Sequence, residues 1–415
     1  MFSKIKLLLL NNRIIIENYF FMTLLQVLNS LFYLLIYPYL IHTLGAQNYG
    51  RYVFGMSIIT YFISLVSFGF DFPGVKEIAQ HPNDHKVKSN VLSCVFTAKI
   101  YLELLCMIIF ITLITFIPNL RQYWGIYTIL FANTFVNILF PTWYFQGIQK
   151  MRIVTYIQIA FKIFSLPLIF LFVNEANDIS NFALIITVSN VSGALVAAYI
   201  ISSYEKIKIE WIAFNDVRVW YKDALPFFWS TAGATIKQQS ISIIIGTYFN
   251  MADVALYDLA YKIISVPLIL FGSINGALFP KIAIDNRKSV IQRVVQFEVL
   301  AGFLVIGIIF FLGKWFVLLL GGFQMIGAYP IAIVMSFGIL TLLVVGAYIN
   351  FIFVPQKRYY LVTQNQIVAF CLFFILAAIG VLFWKNILAI AFAWTIAGLF
   401  EILYCKILIK KYKLF

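Results

Sequence analysis

Residues 361–384, LVTQNQIVAFCLFFILAAIGVLFW, contain no charged side chain in 24 consecutive positions. About 20 apolar residues in a helix cross the roughly 30 Å hydrocarbon core of a bilayer. The stretch also lacks the strict alternation of apolar and polar residues that is typical of strands. It therefore predicts a transmembrane helix.

The same pattern recurs along the chain. Of its 415 residues, 63% are hydrophobic and only 11% are charged, whereas soluble domains carry roughly 25% charged residues. Further spans are predicted at 18–41, 52–72, 89–117, 123–146, 151–173, 179–201, 224–249, 252–279, 294–320, 328–354 and 387–409. Because a bilayer admits only spans whose backbone groups are bonded internally, we expect an all-α polytopic membrane protein with twelve transmembrane helices. Prolines inside or at the ends of the spans, such as Pro38, Pro141 and Pro167, predict bent helices.

The positive charges predict how the chain is oriented. In this arrangement 22 of the 30 Lys and Arg residues lie on the side of the N-terminus, four lie on the opposite side and four lie within spans. Basic residues in short loops stay cytoplasmic, so both termini are expected in the cytoplasm. The formal net charge of +14 is explained by this topology and by attraction to anionic lipid headgroups, and no nucleic-acid partner is expected. Residues 4–10 are expected to form an uncleaved stub or interfacial helix.

A polar, charged stretch at residues 202–223 separates six predicted spans from the other six. We therefore expect an N-terminal lobe at residues 1–205, a cytoplasmic linker at 206–223 and a C-terminal lobe at 224–415. The heptapeptides at 46–52 and 251–257 align with an offset of 205 residues, which favours two parallel repeats. Repeats of this kind rock about a central site in transporters.

The sequence has no motif typical of an enzyme that makes or breaks covalent bonds. There is no phosphate-binding loop of the type GxxxxGK[ST], so ATP hydrolysis is not expected. His81 and His85 are four residues apart without a third ligand, and the four cysteines have no metal-ligand spacing. We expect neither an enzyme nor a metal or cofactor site. Because ATP hydrolysis is not expected, the energy for any transport must come from an ion gradient, a substrate gradient or another protein.

Two of the lysines inside spans have an acid four residues away. Lys99 precedes Glu103, and Asp258 precedes Lys262, and residues at this spacing meet on one helix face. Each pair is either a self-neutralising ion pair within its helix or a site whose lysine serves a cavity when its acid is protonated or swings away.

The other two, Lys162 and Lys237, have no acidic residue within one helical turn. Charged side chains inside a membrane usually face a cavity or a partner, so these two predict a water-filled cavity that receives an anionic substrate. Glu298 lies near the cytoplasmic end of its span, where it pairs with Arg293 or Lys237 or else titrates in proton coupling.

Several motifs, spread over most of the chain, resemble those of one family of membrane proteins. The run YPYLIHTLGAQNYGRY at 37–52 is similar to the signature at the end of the first span in that family. FGFDF at 68–72 and PTWYFQG at 141–147 are similar to elements after its second and fourth spans. Pro226-Phe-Phe228, Ile243–Gly246, Tyr257 to Ala260 and Pro280 follow its order in the second half. Asp71 and Ala255 depart from the pattern, where the family more often has Asn and Gly. The family that these motifs resemble is that of the bacterial O-antigen flippases, the polysaccharide branch of the multidrug/oligosaccharidyl-lipid/polysaccharide exporter superfamily.

The resemblance implies a fold and a function. It implies two six-helix lobes with a central cavity, as in the related multidrug exporters. It also implies movement of undecaprenyl-diphosphate-linked oligosaccharides across a bacterial inner membrane, with proton antiport proposed for relatives and a polymerase and a chain-length regulator as partners. In that reading Lys99, Lys162, Lys237 and Lys262 form a cationic lumen, and Glu103, Asp258 and Glu298 are ion-coupling or paired acids.

Other functions stay open at this point. A drug or cation exporter of the sister branch would present carboxylates to its cargo. A polysaccharide polymerase or ligase would carry a large periplasmic loop, and no outward loop here exceeds about ten residues. A scaffold without transport would require every buried lysine to pack against an acid.

Overall fold

The computed structural model describes residues 13–284 and 288–414, and it describes only the backbone at residues 13, 15, 16, 273–284 and 359. All regular structure in these ranges is helical. The helices are α1 (Arg13–Ser67), α2 (Asp71–Gln80), α3 (His85–Phe116), α4 (Pro118–Arg121), α5 (Trp124–Phe131), α6 (Asn133–Leu139), α7 (Thr142–Gly147), α8 (Met151–Phe172), α9 (Ile179–Ser203), α10 (Phe214–Tyr248), α11 (Met251–Ile284), α12 (Lys288–Gly321), α13 (Ala328–Tyr348), α14 (Tyr359–Phe383) and α15 (Ile387–Lys411). Short 3₁₀ turns precede α9 and α13, and a π-helical turn at Ile349–Phe353 ends α13. The predicted stub at 4–10 and the side chains of Arg13, Pro280, Lys281 and Arg287 lie outside the described parts.

Within the described ranges, ten helical segments are long and apolar enough to cross a membrane. The first, Glu17–Ser67, contains the predicted span 18–41 and most of the predicted span 52–72. The predicted span 224–249 lies in α10, which is 35 residues long but too polar to be among the ten. The protein is thus a multi-pass α-helical membrane protein, and its helices are consistent with the predicted twelve crossings.

A break at Gly45 divides α1. This helix runs for 55 residues, but Gly45 has φ 74° and ψ 162°, which are not helical values. A residue with a side chain is strained at positive φ, whereas glycine adopts this backbone conformation readily. The predicted loop at 42–51 is therefore helical on both sides of a single bent residue.

Pro141 interrupts the predicted fourth span. Within residues 123–146 the structure has three short helices, α5, α6 and α7, in place of one continuous helix. Proline lacks the N–H that would bond the carbonyl four residues earlier, and α6 accordingly ends at Leu139. The predicted bend is present, and it leaves backbone groups in the middle of unit 1 that need other partners.

The helices form two compact units, each assembled from separate parts of the chain. Unit 1 comprises residues 1–32 and 54–240, and unit 2 comprises residues 33–53 and 241–415. The division into contiguous lobes at residue 205 stays a prediction.

Each unit has an apolar core of its own. In unit 1 the core includes Trp143, Tyr144 and Phe145 of α7, all at most 3% exposed, packed with residues of α2, α3 and α8. In unit 2 a core forms around Phe351 and Phe353 of the π-helical turn, with residues of α12, α14 and α15. The unit 1 core packs α3, α8 and α10, which carry Lys99, Lys162 and Lys237.

Candidate functional site

Asp258 and Lys262 form an ion pair on one face of α11, in unit 2. Tyr49 closes a triangle with them, because its Oη lies 2.9 Å from Lys262 Nζ and donates a hydrogen bond of 3.0 Å to Asp258 Oδ2. The Lys262 and Asp258 side chains are 19% and 17% exposed. The expected intrahelical pair is therefore present, and a part of it is accessible.

Tyrosine rings surround the Lys262 ammonium. Its Nζ lies 5.2 Å from the ring centroid of Tyr37, 5.4 Å from that of Tyr49 and 5.9 Å from that of Tyr33. A cation within about 6 Å of an aromatic ring is attracted by the electron density of the ring face. We call Tyr33, Tyr37, Tyr49, Asp258 and Lys262 the tyrosine cage.

The cage depends on a close approach between α1 and α11 inside unit 2. A Cβ atom at Gly50 would lie 1.6 Å from the carbonyl oxygen of Met251, so the backbones meet where only glycine fits. Gln47 Oε1 accepts a 3.1 Å bond from the N–H of Ala252, and Tyr37 Oη donates a 3.3 Å bond to the carbonyl of Ala255. These contacts fix the position of Tyr49 relative to α11.

Lys162 lies on α8 of unit 1, away from the ends of its span. Its Nζ donates a 2.6 Å bond to Oδ1 of Asn29 and lies 5.2 Å from the ring centroid of Phe32. Asn29 and Phe32 both belong to α1, three residues apart. A neutral amide and a ring thus orient a half-buried ammonium.

Lys99 of α3 is fully enclosed, with only 3% of its side chain exposed. Its Nζ donates to Asn137 Oδ1 at 2.7 Å and to the Asn137 carbonyl at 3.2 Å, and it lies 3.5 Å from Asp71 Oδ1. The Asn137 carbonyl is the one that Pro141, four residues later, cannot bond. Lys99 therefore replaces a helical hydrogen bond that proline removes.

A cavity of about 50 Å³ lies beside Lys99, in unit 1. Apart from the lysine, its lining is apolar and includes Val95, Ile138, Pro141 and Trp143. Sites for drug-sized ligands have volumes of roughly 300–1,000 Å³. This cavity is therefore too small to hold an oligosaccharide.

Comparison with known proteins decides the family. A family model described as "Polysaccharide biosynthesis protein" matches residues 15–284. The chain belongs to this family.

A curated relative of this polysaccharide biosynthesis family member is the "Putative O-antigen transporter" of Escherichia coli (strain K12). The two are 26% identical over 267 residues, which is 64% of each chain. The chain thus spans 64% of the length of the curated relatives it matches.

Solved structures show which fold this family member has. A structure of the lipid II flippase MurJ in an inward closed conformation superposes with a TM-score of 0.65 and 16% identity, covering 95% of this chain and 87% of MurJ. An inward-facing multidrug resistance MATE transporter of the MOP superfamily superposes with a TM-score of 0.64 and 13% identity, covering 94% and 95% of the two chains. The predicted MATE-like fold is confirmed, and these relatives are transporters and a flippase, not enzymes.

The predicted acids have different outcomes. A pair between Lys99 and Glu103 is wrong, because Lys99 contacts Asp71 and Asn137, whereas Oε1 of Glu103 accepts a 2.6 Å bond from Thr134. Asn137 and Thr134 lie on α6, so a tertiary contact prevails over the helical spacing in both cases. Glu298 is buried on α12, and its predicted pairing and titration stay predictions.

Lys99, Lys162 and Lys262 each have the local partners described above. Lys99 and Lys162 lie in unit 1 with separate partner sets, and Lys262 lies in unit 2 within the tyrosine cage. Lys237 is half-buried on α10. That all four share one water-filled cavity stays a prediction.

Sequence reasoning missed the residues that hold these lysines, namely Asn29, Asp71, Asn137 and the tyrosines of the cage. One signal was available, since Pro141 stands four residues after Asn137 and leaves its carbonyl without a helical partner. Tyr37 and Tyr49 lie in the signature run at 37–52 and Tyr33 lies four residues before it, but their convergence on Lys262 requires the fold.

Proposed function

We propose that this protein is a flippase for lipid-linked oligosaccharides. Its substrate is an oligosaccharide repeat unit attached to undecaprenyl diphosphate, which moves from the cytoplasmic to the periplasmic leaflet of a bacterial inner membrane. Family membership, the O-antigen transporter name of a relative and the fold shared with a lipid II flippase support this proposal. The excess of basic residues in the loops on one side supports cytoplasmic termini.

The observation that carries the proposal is the set of lysines in the interior of the helices, at positions 99, 162, 237 and 262. Moving a diphosphate through hydrocarbon is prohibitive unless charge compensates it. Lysine suits this task because its ammonium is a compact charge on a flexible stem and binds phosphate without demanding one geometry. We assign Lys162 and Lys237 to the diphosphate, and Lys99 and Lys262 to stages at which their present partners are released.

Export of drugs or cations is less well supported. A cationic cargo needs a carboxylate that is free to meet it. The acid within the tyrosine cage, Asp258, is paired with Lys262. The lysine-centred arrangement favours an anionic cargo over a cationic one.

Reconstitution tests the proposal. The purified protein is placed in liposomes that contain a fluorescent oligosaccharide on a polyprenyl diphosphate, and a membrane-impermeant quencher reports which leaflet the label occupies. We expect the protein to accelerate exchange between the leaflets well above the rate in protein-free liposomes. A pH gradient across the same liposomes changes the rate if protons drive the cycle.

Substitution of Lys162 links the activity to the site. We expect Lys162→Ala to slow transport at least about tenfold, a change of about 1.4 kcal/mol in the barrier, while the protein stays folded. Lys314→Ala is the matched control, because Lys314 is exposed on α12. Absence of lipid-linked substrate transport by the wild type, together with uptake of a cationic dye, would defeat the proposal in favour of the cation exporter.

Partner proteins belong to the proposal as well. A flippase of this kind supplies repeat units to a polymerase and a chain-length regulator on the periplasmic side. Crosslinking in a host that makes the polysaccharide tests these contacts.

A further inference from the structure

We propose that Asp258 is an internal competitor for the phosphate of the substrate. Its carboxylate occupies the position at Lys262 that a phosphate oxygen takes during transport, and Tyr49 holds it there. This inference rests on the proposed function, since it takes the substrate to be a diphosphate.

The chemistry of the two anions supports exchange. Carboxylate and phosphate oxygens both accept charge-assisted hydrogen bonds from an ammonium, and lysine imposes little geometric selection between them. The ammonium of Lys262 contacts Asp258 and Tyr49, and the ring centroids of Tyr37 and Tyr33 lie 5.2 Å and 5.9 Å from it. A phosphate oxygen therefore gains access most directly by taking the place of the carboxylate.

Exposure and position make this exchange feasible. The side chains of Lys262 and Asp258 are 19% and 17% exposed, unlike Lys99, whose side chain is 3% exposed. The pair is thus reachable from the surface of unit 2 without unfolding of α11. Of the pairs made by Lys262 and Lys99, that of Lys262 is the better suited to binding and release.

Tyr49 is a positioning residue in this scheme. Its hydroxyl donates to Asp258 and accepts from Lys262, so it aligns the carboxylate with the ammonium. The cage is neutral at rest, because the carboxylate balances the ammonium, and binding exchanges one anion for another. Competition by the Asp258 carboxylate weakens binding of the substrate phosphate but speeds its release, which a transporter requires for turnover.

Binding and transport measured side by side test the inference. Inorganic pyrophosphate and a short-chain polyprenyl diphosphate are titrated against the purified protein, and leaflet exchange is measured in liposomes. We expect Asp258→Asn to bind both ligands about tenfold more tightly, equivalent to about 1.4 kcal/mol, and to transport more slowly because release is slower. Asp258→Glu should restore weak binding and fast transport. Asp253→Asn, which removes a carboxylate from the first turn of the same helix, is the control and should leave both measurements unchanged.

Two further variants keep the inference testable. Tyr49→Phe keeps the ring but removes the hydroxyl that holds the Asp258 carboxylate at Lys262, so it should tighten pyrophosphate binding about two- to threefold. This variant tests the inference if Asp258→Asn fails to fold. Adding Lys262→Gln to Asp258→Asn should abolish the gain in affinity.

The outcomes separate the two proposals. If the wild type transports the lipid-linked substrate but Asp258→Asn binds pyrophosphate with unchanged or lower affinity, the competitor role is refuted and the flippase function stands. If the wild type does not transport the lipid, the flippase proposal fails, whatever the affinity of the variant.

Discussion

Gly50→Ala should destabilise the protein by pushing α1 away from α11 in unit 2. A Cβ at this position would lie 1.6 Å from the carbonyl oxygen of Met251, and real Cβ atoms essentially never approach closer than 3.0 Å. The backbones must therefore separate by the difference, about 1.4 Å. A flexible side chain would move aside easily, but here the obstacle is main chain.

The magnitude follows from two opposing effects. Overpacking of a core costs about 1–3 kcal/mol, and a rigid backbone neighbour places Gly50→Ala at the upper end. Alanine is favoured over glycine in a helix by about 1 kcal/mol. The net loss of stability is therefore about 2 kcal/mol. A shift of this size also carries Tyr49 Oη beyond hydrogen-bonding distance of Asp258, because that bond is already 3.0 Å long.

Thermal unfolding in detergent, followed by size-exclusion chromatography of the surviving folded fraction, measures the effect. Gly346→Ala is the matched control, because Gly346 lies in α13 of the same unit and a Cβ there would meet nothing within 4 Å. The control should be neutral or slightly stabilised. A Gly50→Ala protein that melts at or above the wild-type temperature would refute the reasoning.

Further predictions concern unit 1. Gly69→Ala should destabilise it by about 1–3 kcal/mol, because Gly69 has φ +74° and a Cβ would lie 2.7 Å from the backbone nitrogen of Phe228; the melting temperature in detergent checks this. Lys99→Met should lower that temperature too, because the Asn137 carbonyl loses its donor, and a melting temperature equal to that of the wild type would contradict the role given to Lys99. Asp84 accepts bonds from the first N–H groups of α3, chiefly that of Val87, which lower the pKa of its carboxyl. Its cap should persist above about pH 4 and weaken as the pH falls through the lowered pKa, so the amides at the start of α3 should lose protection relative to their intrinsic exchange rate at the same pH. Asp84→Ala should lack this protection at every pH, and equal protection in both proteins would exclude the cap.

The spanning helices could be predicted from the sequence because a bilayer imposes a strong constraint on length and hydropathy. The stretch at 361–384 lies almost entirely in α14, Tyr359–Phe383. Two details of the helices could not be predicted from hydropathy. The helix continues on both sides of Gly45 where a loop was expected, because one residue at positive φ is enough for the bend. The span at 123–146 is divided into α5, α6 and α7, and Pro141 accounts for the break after α6.

The partners of the lysines were less accessible to sequence reasoning. Spacing along a helix identified the pair of Asp258 and Lys262, and the structure has that pair. The same rule failed for Lys99 and Glu103, because α6 supplies Asn137 to one and Thr134 to the other. Tertiary neighbours cannot be read from local spacing, and they decide the charge balance inside a span.

The interleaving of the two compact units has a consequence for protein engineering. A gene divided after codon 205 would encode two fragments, of which the first lacks residues 206–240 of unit 1 and the second lacks residues 33–53 of unit 2. Each fragment would have to supply the helices that the other fragment lacks, as in reciprocal complementation. The two pieces are therefore expected to accumulate only when they are synthesised together in one cell.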